Sequence, residues 1–282
     1  MTTATDELKQ RMRTQYDAAA AAWERRFDWY AEAFGPMCEW LCTAAALQDG
    51  VRVLDLACGS GLPSLEAARR VGPAGRVVAG DISPEMVVAT RRKAAALGLG
   101  NIDVHELDAE HLPFESGSFD AVTCSHGLMF IPDAIGALRE MRRVLKPGGR
   151  AAVTAWDVPQ KSSFVTLAGQ AVGKYFPPTP PEPGKPHVFR FSAPGVLERA
   201  LRDAGFKDCA VQSIPMPIDF DSADAYFGMF VEMAAGIKQK IDALSPADQA
   251  GLRRALEEGA KSLAHGNGIR VIATPLGGTG IA

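Results

Sequence analysis

From Val51 to Trp156 the chain alternates short apolar runs with longer stretches whose apolar residues recur every three or four positions. The first pattern predicts buried strands and the second amphipathic helices packed on them. In order, the spacing predicts strand Val51–Leu56, a helix from Pro63 to Arg70, strand Arg76–Gly80 ending at Asp81, and a helix from Ser83 to about Leu97. Strands Ile102–Leu107 and Phe119–Cys124 follow, then a helix that Asp133 opens and Leu145 closes, and strand Arg150–Trp156. Pro63 and Pro84 suit first helical positions, Ser83 and Asp133 suit N-caps, and Gly72 suits a stop. Strand and helix in strict alternation is the signature of a parallel sheet covered on both faces.

The flanks read differently. Thr5 to about Tyr30 predicts an alanine-rich helix carrying Tyr16, Trp23, Phe27, Trp29 and Tyr30, with Gly35-Pro36 as a break before a second helix, Met37–Leu47. Those aromatics fit either simple packing on the domain or a lid, since ring faces attract cations. After Trp156 a helix is predicted over Ser163–Tyr175, and six prolines between Phe176 and Pro186 exclude helix and central strand there. Ser192, Pro194 and Gly205 bracket another helix. Cys209–Ile218 and Gly268–Thr274 read as the last two strands, with helices Ala223–Leu244 and Pro246–Ala264 between them, and Pro275–Ala282 as a fraying glycine-rich end. The expectation is one α/β domain over 1–282: a Rossmann-like, seven-stranded, mostly parallel sheet, with N-terminal and C-terminal helical additions forming a lid. Residues 1–46 would be the N-terminal cap, 47–156 the binding core, and 157–282 the acceptor-side helices and last two strands.

Composition narrows the function. Hydrophobic residues make up 47% of 282, enough for a sizeable core, and the net charge of −3 argues against a nucleic-acid surface built on phosphate neutralisation. No apolar run approaches the roughly 20 residues of a membrane span, and Met1–Arg13 lacks a signal-peptide core. The five cysteines form no C-x-x-C pair, so reduced thiols, a cytoplasmic setting and no metal are expected.

The chemistry concentrates where the first strand meets its helix, at Asp55-Leu-Ala-Cys-Gly-Ser-Gly61. Glycines there let the backbone approach a ligand, and a helix start presents free N–H groups. A dinucleotide fingerprint places glycine directly after the strand. Here a carboxylate comes first, which would repel a pyrophosphate and suits a cationic group. This stretch resembles the first motif of the class I S-adenosylmethionine-dependent methyltransferases. The resemblance continues through Asp81, Asp108, Phe119–Asp133 and Val144-Leu-Lys-Pro-Gly-Gly149, covering about Leu47–Trp156. Arg143–Gly149, and Phe206 after Ala204-Gly205, are similar to the ubiquinone/menaquinone-biosynthesis branch. The alanine run after Tyr16-Asp17, and Thr154-Ala155-Trp156, depart from that branch and leave a quinone substrate unassigned.

The resemblance implies S-adenosyl-L-methionine as cofactor and S-adenosyl-L-homocysteine as product. It implies that Asp55 orients the methionine ammonium, with Ala57, Gly59 and Gly61 as the close backbone, and that Asp108 and Ala109 meet the adenine. Asp55 could instead cap the next helix. Asp81, ending an apolar run, can accept from two ribose hydroxyls, and Ile82 and Met86 can flank a base, though Met86 fits core equally. Ser125 and His126 lie just past the fourth strand, beside the expected methyl position. His126 is the first candidate for a general base because imidazole titrates near neutrality; Tyr16 and His187 are weaker ones. The reading is methyl transfer by in-line displacement to a small, largely apolar or aromatic molecule, with oxygen slightly favoured over carbon or nitrogen. The alternatives are an NAD-dependent oxidoreductase on a similar sheet and a non-catalytic cofactor-binding module; a nucleic-acid substrate is the weakest option.

Overall fold

The structure, a computed structural model, describes residues 4–177, 182, 184–234 and 236–282. Its elements in chain order are α1 (Ala4–Arg25), α2 (Phe27–Ala44), β1 (Arg52–Leu56), α3 (Leu62–Val71), β2 (Arg76–Asp81), α4 (Pro84–Ala96), β3 (Ile102–Glu106), β4 (Phe119–Ser125), α5 (Ala134–Val144) and β5 (Leu145–Trp156). There follow α6 (Ser163–Gly173), α7 (Val196–Asp203), β6 (Lys207–Ser213), β7 (Met216–Phe220), α8 (Ala223–Met233), α9 (Ile237–Asp242), α10 (Pro246–Ala260), β8 (Ala264–His265), β9 (Gly268–Ala273) and β10 (Pro275–Ile281).

A seven-stranded sheet runs β3-β2-β1-β4-β5-β10-β6, parallel except for β10, which is antiparallel to both neighbours. Strand residues alternate between the faces. Val53, Val77, Ala121 and Ala152 pack with α2 and α3, while Leu54, Val122, Ala151 and Val153 pack with α5 and α7. Ser83 accepts from the Met86 N–H at 3.2 Å and Asp133 from the Gly136 N–H at 2.8 Å, so both predicted N-caps close their helices. The chain leaves β1 to build β2 and β3 on one side, then returns to place β4 on the other. Between the carboxyl ends of β1 and β4 lies a switch point of the sheet, where open α/β folds bind ligands.

The flanks depart from the sequence expectations in several places. The N-terminal helix breaks at Arg26, and Gly35 and Pro36 lie inside α2. Proline inside a helix costs about 3 kcal/mol. The same helix buries Phe27, Phe34, Met37, Cys38, Leu41 and Cys42, and each large apolar side chain returns about 1.5–3 kcal/mol. The segment Cys209–Ile218 splits into β6 and β7, which belong to different sheets: β7, β9 and β8 form a separate three-stranded antiparallel sheet. Ala223–Leu244 is two helices, and α7 opens at Gly195 rather than at Ser192.

A further departure is the C-terminus. Pro275–Ile281 does not fray; it is the strand between β5 and β6, and Gly268–Ala273 is not part of the main sheet. Side chains occupy the space above its glycines. A Cβ on Gly277 would stand 2.4 Å from the Trp40 ring, and one on Gly280 2.7 Å from Phe206. The proline segment falls partly on positions outside the described residues, and among the described residues no helix is long and apolar enough to cross a membrane.

Candidate functional site

Asp55 is paired in register with Thr123 of β4. Thr123 Oγ1 donates to its Oδ1 at 2.6 Å and Ser64, in the first turn of α3, donates to its Oδ2. The carboxyl is 1% exposed, and burial pushes it up to about 6 against the pull of those two hydroxyls. A buried acid held this high gains most from an adjacent cation. It does not cap α3 through a backbone N–H as the bland expectation had it; its partners are hydroxyls.

Beyond Asp55 the backbone turns sharply. Ala57 sits at φ 54°, Gly59 at 55° and Gly61 at 96°. On the neighbouring strand His126 sits at φ 52°. Left-handed conformations cost a non-glycine residue about 1–3 kcal/mol and cluster at ligand sites. The two tips press together: a Cβ on Gly127 would lie 2.3 Å from that of Ala57. A Cβ on Gly61 would lie 2.8 Å from Thr90, whose hydroxyl donates to the Gly59 carbonyl at 2.8 Å.

Asp81, at the tip of β2, is 7% exposed and accepts from the N–H groups of Gly59 and Ser83, both at 2.9 Å. One carboxylate thus holds the glycine turn to the next loop. Burial raises its pKa, opposed by those N–H groups and that of Ile82. Met86 is 1% exposed beside it. At the tip of β3, Asp108 accepts from the Glu110 N–H at 2.9 Å and from Lys9 Nζ at 2.7 Å. Burial pushes the Asp108 carboxyl up, but Lys9 and the Glu110 N–H outweigh it and hold the group below the usual carboxylate range. Ala109 is half-buried next to it.

Lys9 was not legible as a site residue, nor was Asp17. Both belong to α1, which lies across the tips. Lys9 also meets Glu110 at 2.6 Å. Arg13 donates to Glu106, and Asp17 accepts from Ser83 Oγ at 2.5 Å. Tyr16 places its ring 6.2 Å from Phe130, and burial, then the charge of Asp81, push its hydroxyl up. The structure therefore sets Tyr16 beside Asp81, while His126 keeps company with other groups. Asp108, Glu110 and His111 gather ligand atoms within 4.8 Å of one another, but the Lys9 ammonium already occupies both carboxylates.

At the tip of β4, Ser125 Oγ lies 3.3 Å from Thr154 Oγ1 and 3.7 Å from Met37 Sδ. The His126 ring packs 4.5 Å from Trp156 and 6.5 Å from Phe34. Its Nε2 is buried without a partner, and burial pushes the imidazole down to about 3, so it is neutral. Around it an aromatic cluster links three added helices: Phe34 to Trp29 and Tyr30 on α2, Trp156 to Phe164 on α6, and Phe164 to Tyr226 and Phe230 on α8. His187 instead accepts from the Phe189 N–H at 3.3 Å, on the loop that Arg190 ties to the Ile131 carbonyl.

Carboxylates stand at the tips of β1, β2 and β3, that of Asp108 engaged by Lys9. The same three charges would repel a pyrophosphate. Comparison with known proteins agrees. The methyltransferase-domain family matches residues 53–149. Nocamycin O-methyltransferase of Saccharothrix syringae is 34% identical over 206 residues, 70% of this chain and 74% of that enzyme. A ubiquinone/menaquinone biosynthesis C-methyltransferase of Pseudoalteromonas translucida is 42% identical over 118 residues, 42% of this chain and 47% of the enzyme. The chain thus spans about half the length of that second relative. Among solved structures, the YcgJ protein of Bacillus subtilis shares the fold, with a TM-score of 0.57 at 20% identity over 86% of this chain and 97% of that one.

Proposed function

The chain belongs to the S-adenosylmethionine-dependent methyltransferases, and we propose that it methylates the oxygen of a small, largely apolar, aromatic molecule. The observation that carries this reading is the neutral His126 imidazole, its Nε2 unpartnered, set against Trp156 and Phe34 beside the glycine turn. Flat aromatic walls favour a planar apolar body. A single polar atom among them orients one polar group of that body.

Bound S-adenosylmethionine supplies the activated methyl group. In this reading Asp81 accepts from the ribose hydroxyls, beside the N–H groups of Gly59 and Ser83. Asp55, enclosed by Ser64 and Thr123, acts on the ammonium by its charge. Asp108 and Ala109 face the adenine, with Ile82 and Met86 beside it. Ala57, Gly59 and Gly61 provide close backbone, and Ser125 lines the methionine end. Helix α1 excludes water, and holding donor and acceptor in line inside a dry cavity is the larger part of the catalytic task. The regions outside 47–156 enclose the acceptor within a single domain. Relatives with O- and C-methyltransferase names both match, so the receiving atom is decided by the site. His126 offers a place for a hydroxyl hydrogen, which oxygen transfer needs.

The test is transfer of an isotopically labelled methyl group to a panel of hydroxylated aromatic compounds, with carbon NMR of the product. Methyl ethers are expected. Methyl attached to ring carbon or nitrogen would overturn the oxygen assignment. Tight binding of S-adenosylhomocysteine without transfer to any member would favour the non-catalytic module.

A further inference from the structure

Two buried side-chain polar atoms lack a partner among the described residues, His126 Nε2 and Ser162 Oγ. The first belongs to a ring that is otherwise held firmly. The His126 N–H donates to the Thr154 carbonyl at 3.0 Å and lies 3.1 Å from Thr154 Oγ1. On the side chain, Nδ1 lies 3.3 Å from the same hydroxyl oxygen. Thr154 is the register partner of Ser125, so the sheet itself sets this placement.

The hydroxyl can face Nδ1 in two ways. If Nδ1 carries the proton, Thr154 Oγ1 accepts from it and from the His126 N–H. Its own hydrogen is then free for Met37 Sδ at 3.8 Å or Ser125 Oγ at 3.3 Å. Every donor is then paired, and Nε2 is left as a bare lone pair. If Nε2 carries the proton, Thr154 must turn its hydrogen onto Nδ1, and an N–H is buried with no acceptor. Orphaned buried N–H groups are the rarer and costlier case.

We infer that Thr154 is a positioning residue: it fixes the Nδ1–H form of His126, so that Nε2 takes acceptor molecules presenting a neutral O–H and rejects those that are anionic there. This rests on the O-methylation reading above. A carboxylate or phenolate oxygen at that place would meet the imidazole lone pair and be repelled. When a neutral hydroxyl oxygen takes the methyl group, an O–C bond forms and the S–C pair stays on sulfur. The hydroxyl proton passes to Nε2. The positive charge lost at the sulfonium reappears on the imidazolium, so the net charge at the site is unchanged across the step.

The experiment needs no acceptor. Protein labelled with nitrogen-15 at histidine is saturated with S-adenosylhomocysteine, and long-range proton–nitrogen spectra report which ring nitrogen carries the proton. Comparison with His126→Asn identifies the His126 signals. The expected result is Nδ1–H in the wild type, the same in Thr154→Ser, and loss of that preference in Thr154→Val. Nε2–H in the wild type would overturn the inference, and so would an unchanged Nδ1–H form in Thr154→Val. Failure to bind S-adenosylhomocysteine would instead count against the cofactor assignment, so the two failures are distinct. Nε2–H in the wild type overturns the inference even if a variant does not fold.

Discussion

At the scale of single residues, the acids at the strand tips were legible and their partners were not. Asp55 and Asp81 each end an apolar run, and that is visible in one dimension. Thr123, Ser64 and Thr154 reach them and His126 only through strand register and helix entry, which no local pattern states. His126 was legible by position, but its neutrality follows from burial that only the fold supplies. Asp55 carries a prediction of its own. Its folded pKa of about 6 lies above that of the unfolded chain. The folded state therefore holds the proton more tightly, and the stability this contributes, full below about pH 4, is lost as pH rises through about 6. A shift of about two units corresponds to ~3 kcal/mol. Asp55→Asn is expected to flatten this part of the stability–pH curve, to stabilise the ligand-free protein at pH 7, and to weaken S-adenosylmethionine binding. Thermal melts from pH 4 to 7 beside calorimetry check it; an Asn variant less stable at pH 7 than the wild type would contradict it.

At the scale of elements, the five strands and three helices between Arg52 and Trp156 match the hydrophobic pattern, except that β5 starts at Leu145, through the expected Pro147-Gly-Gly149 turn, rather than at Arg150. Apolar periodicity and cap residues agree with each other there. The reading failed where tertiary packing overrides local preference. Glycines lower strand propensity, so Pro275–Ile281 looked like a loose end, yet Trp40, Leu197 and Phe206 fill the space its missing side chains leave. Gly277→Ala is expected to destabilise by about 1–3 kcal/mol, as overpacking does. Gly100→Ala, with no atom within 4 Å of the added Cβ, is the matched control and should leave the melting temperature unchanged. Equal melting temperatures for both variants would mean that β10 is not packed this way.

At the scale of the whole molecule, α1 roofs the crevice. Lys9 reaches Asp108 and Glu110, and Arg92 reaches Glu24 at 2.8 Å. The Arg92 pair is exposed and worth little singly. The Lys9 ammonium is 15% exposed and Glu110 7%, so this contact is the firmest link between α1 and the β3 tip. If ligands enter by displacing α1, Lys9→Ala raises both association and dissociation rates of S-adenosylhomocysteine in stopped-flow measurements. Unchanged rates would place the entrance elsewhere. A lid was expected of this helix, but the Lys9 contacts that hold it were not readable, because nearly a hundred residues separate Lys9 from Asp108 along the chain.

The central claim is that the carboxylate tips of β1, β2 and β3 hold an adenosylated sulfur compound and not a dinucleotide. Calorimetric titration of the wild type and Asp81→Asn with S-adenosylhomocysteine and with NAD tests it directly. Charged hydrogen bonds of about 1.5–3 kcal/mol correspond to a loss of roughly tenfold to a hundredfold. Micromolar binding of S-adenosylhomocysteine, none of NAD, and a loss of that size in Asp81→Asn are expected. Binding of NAD, or an Asp81→Asn affinity equal to the wild type, would contradict it.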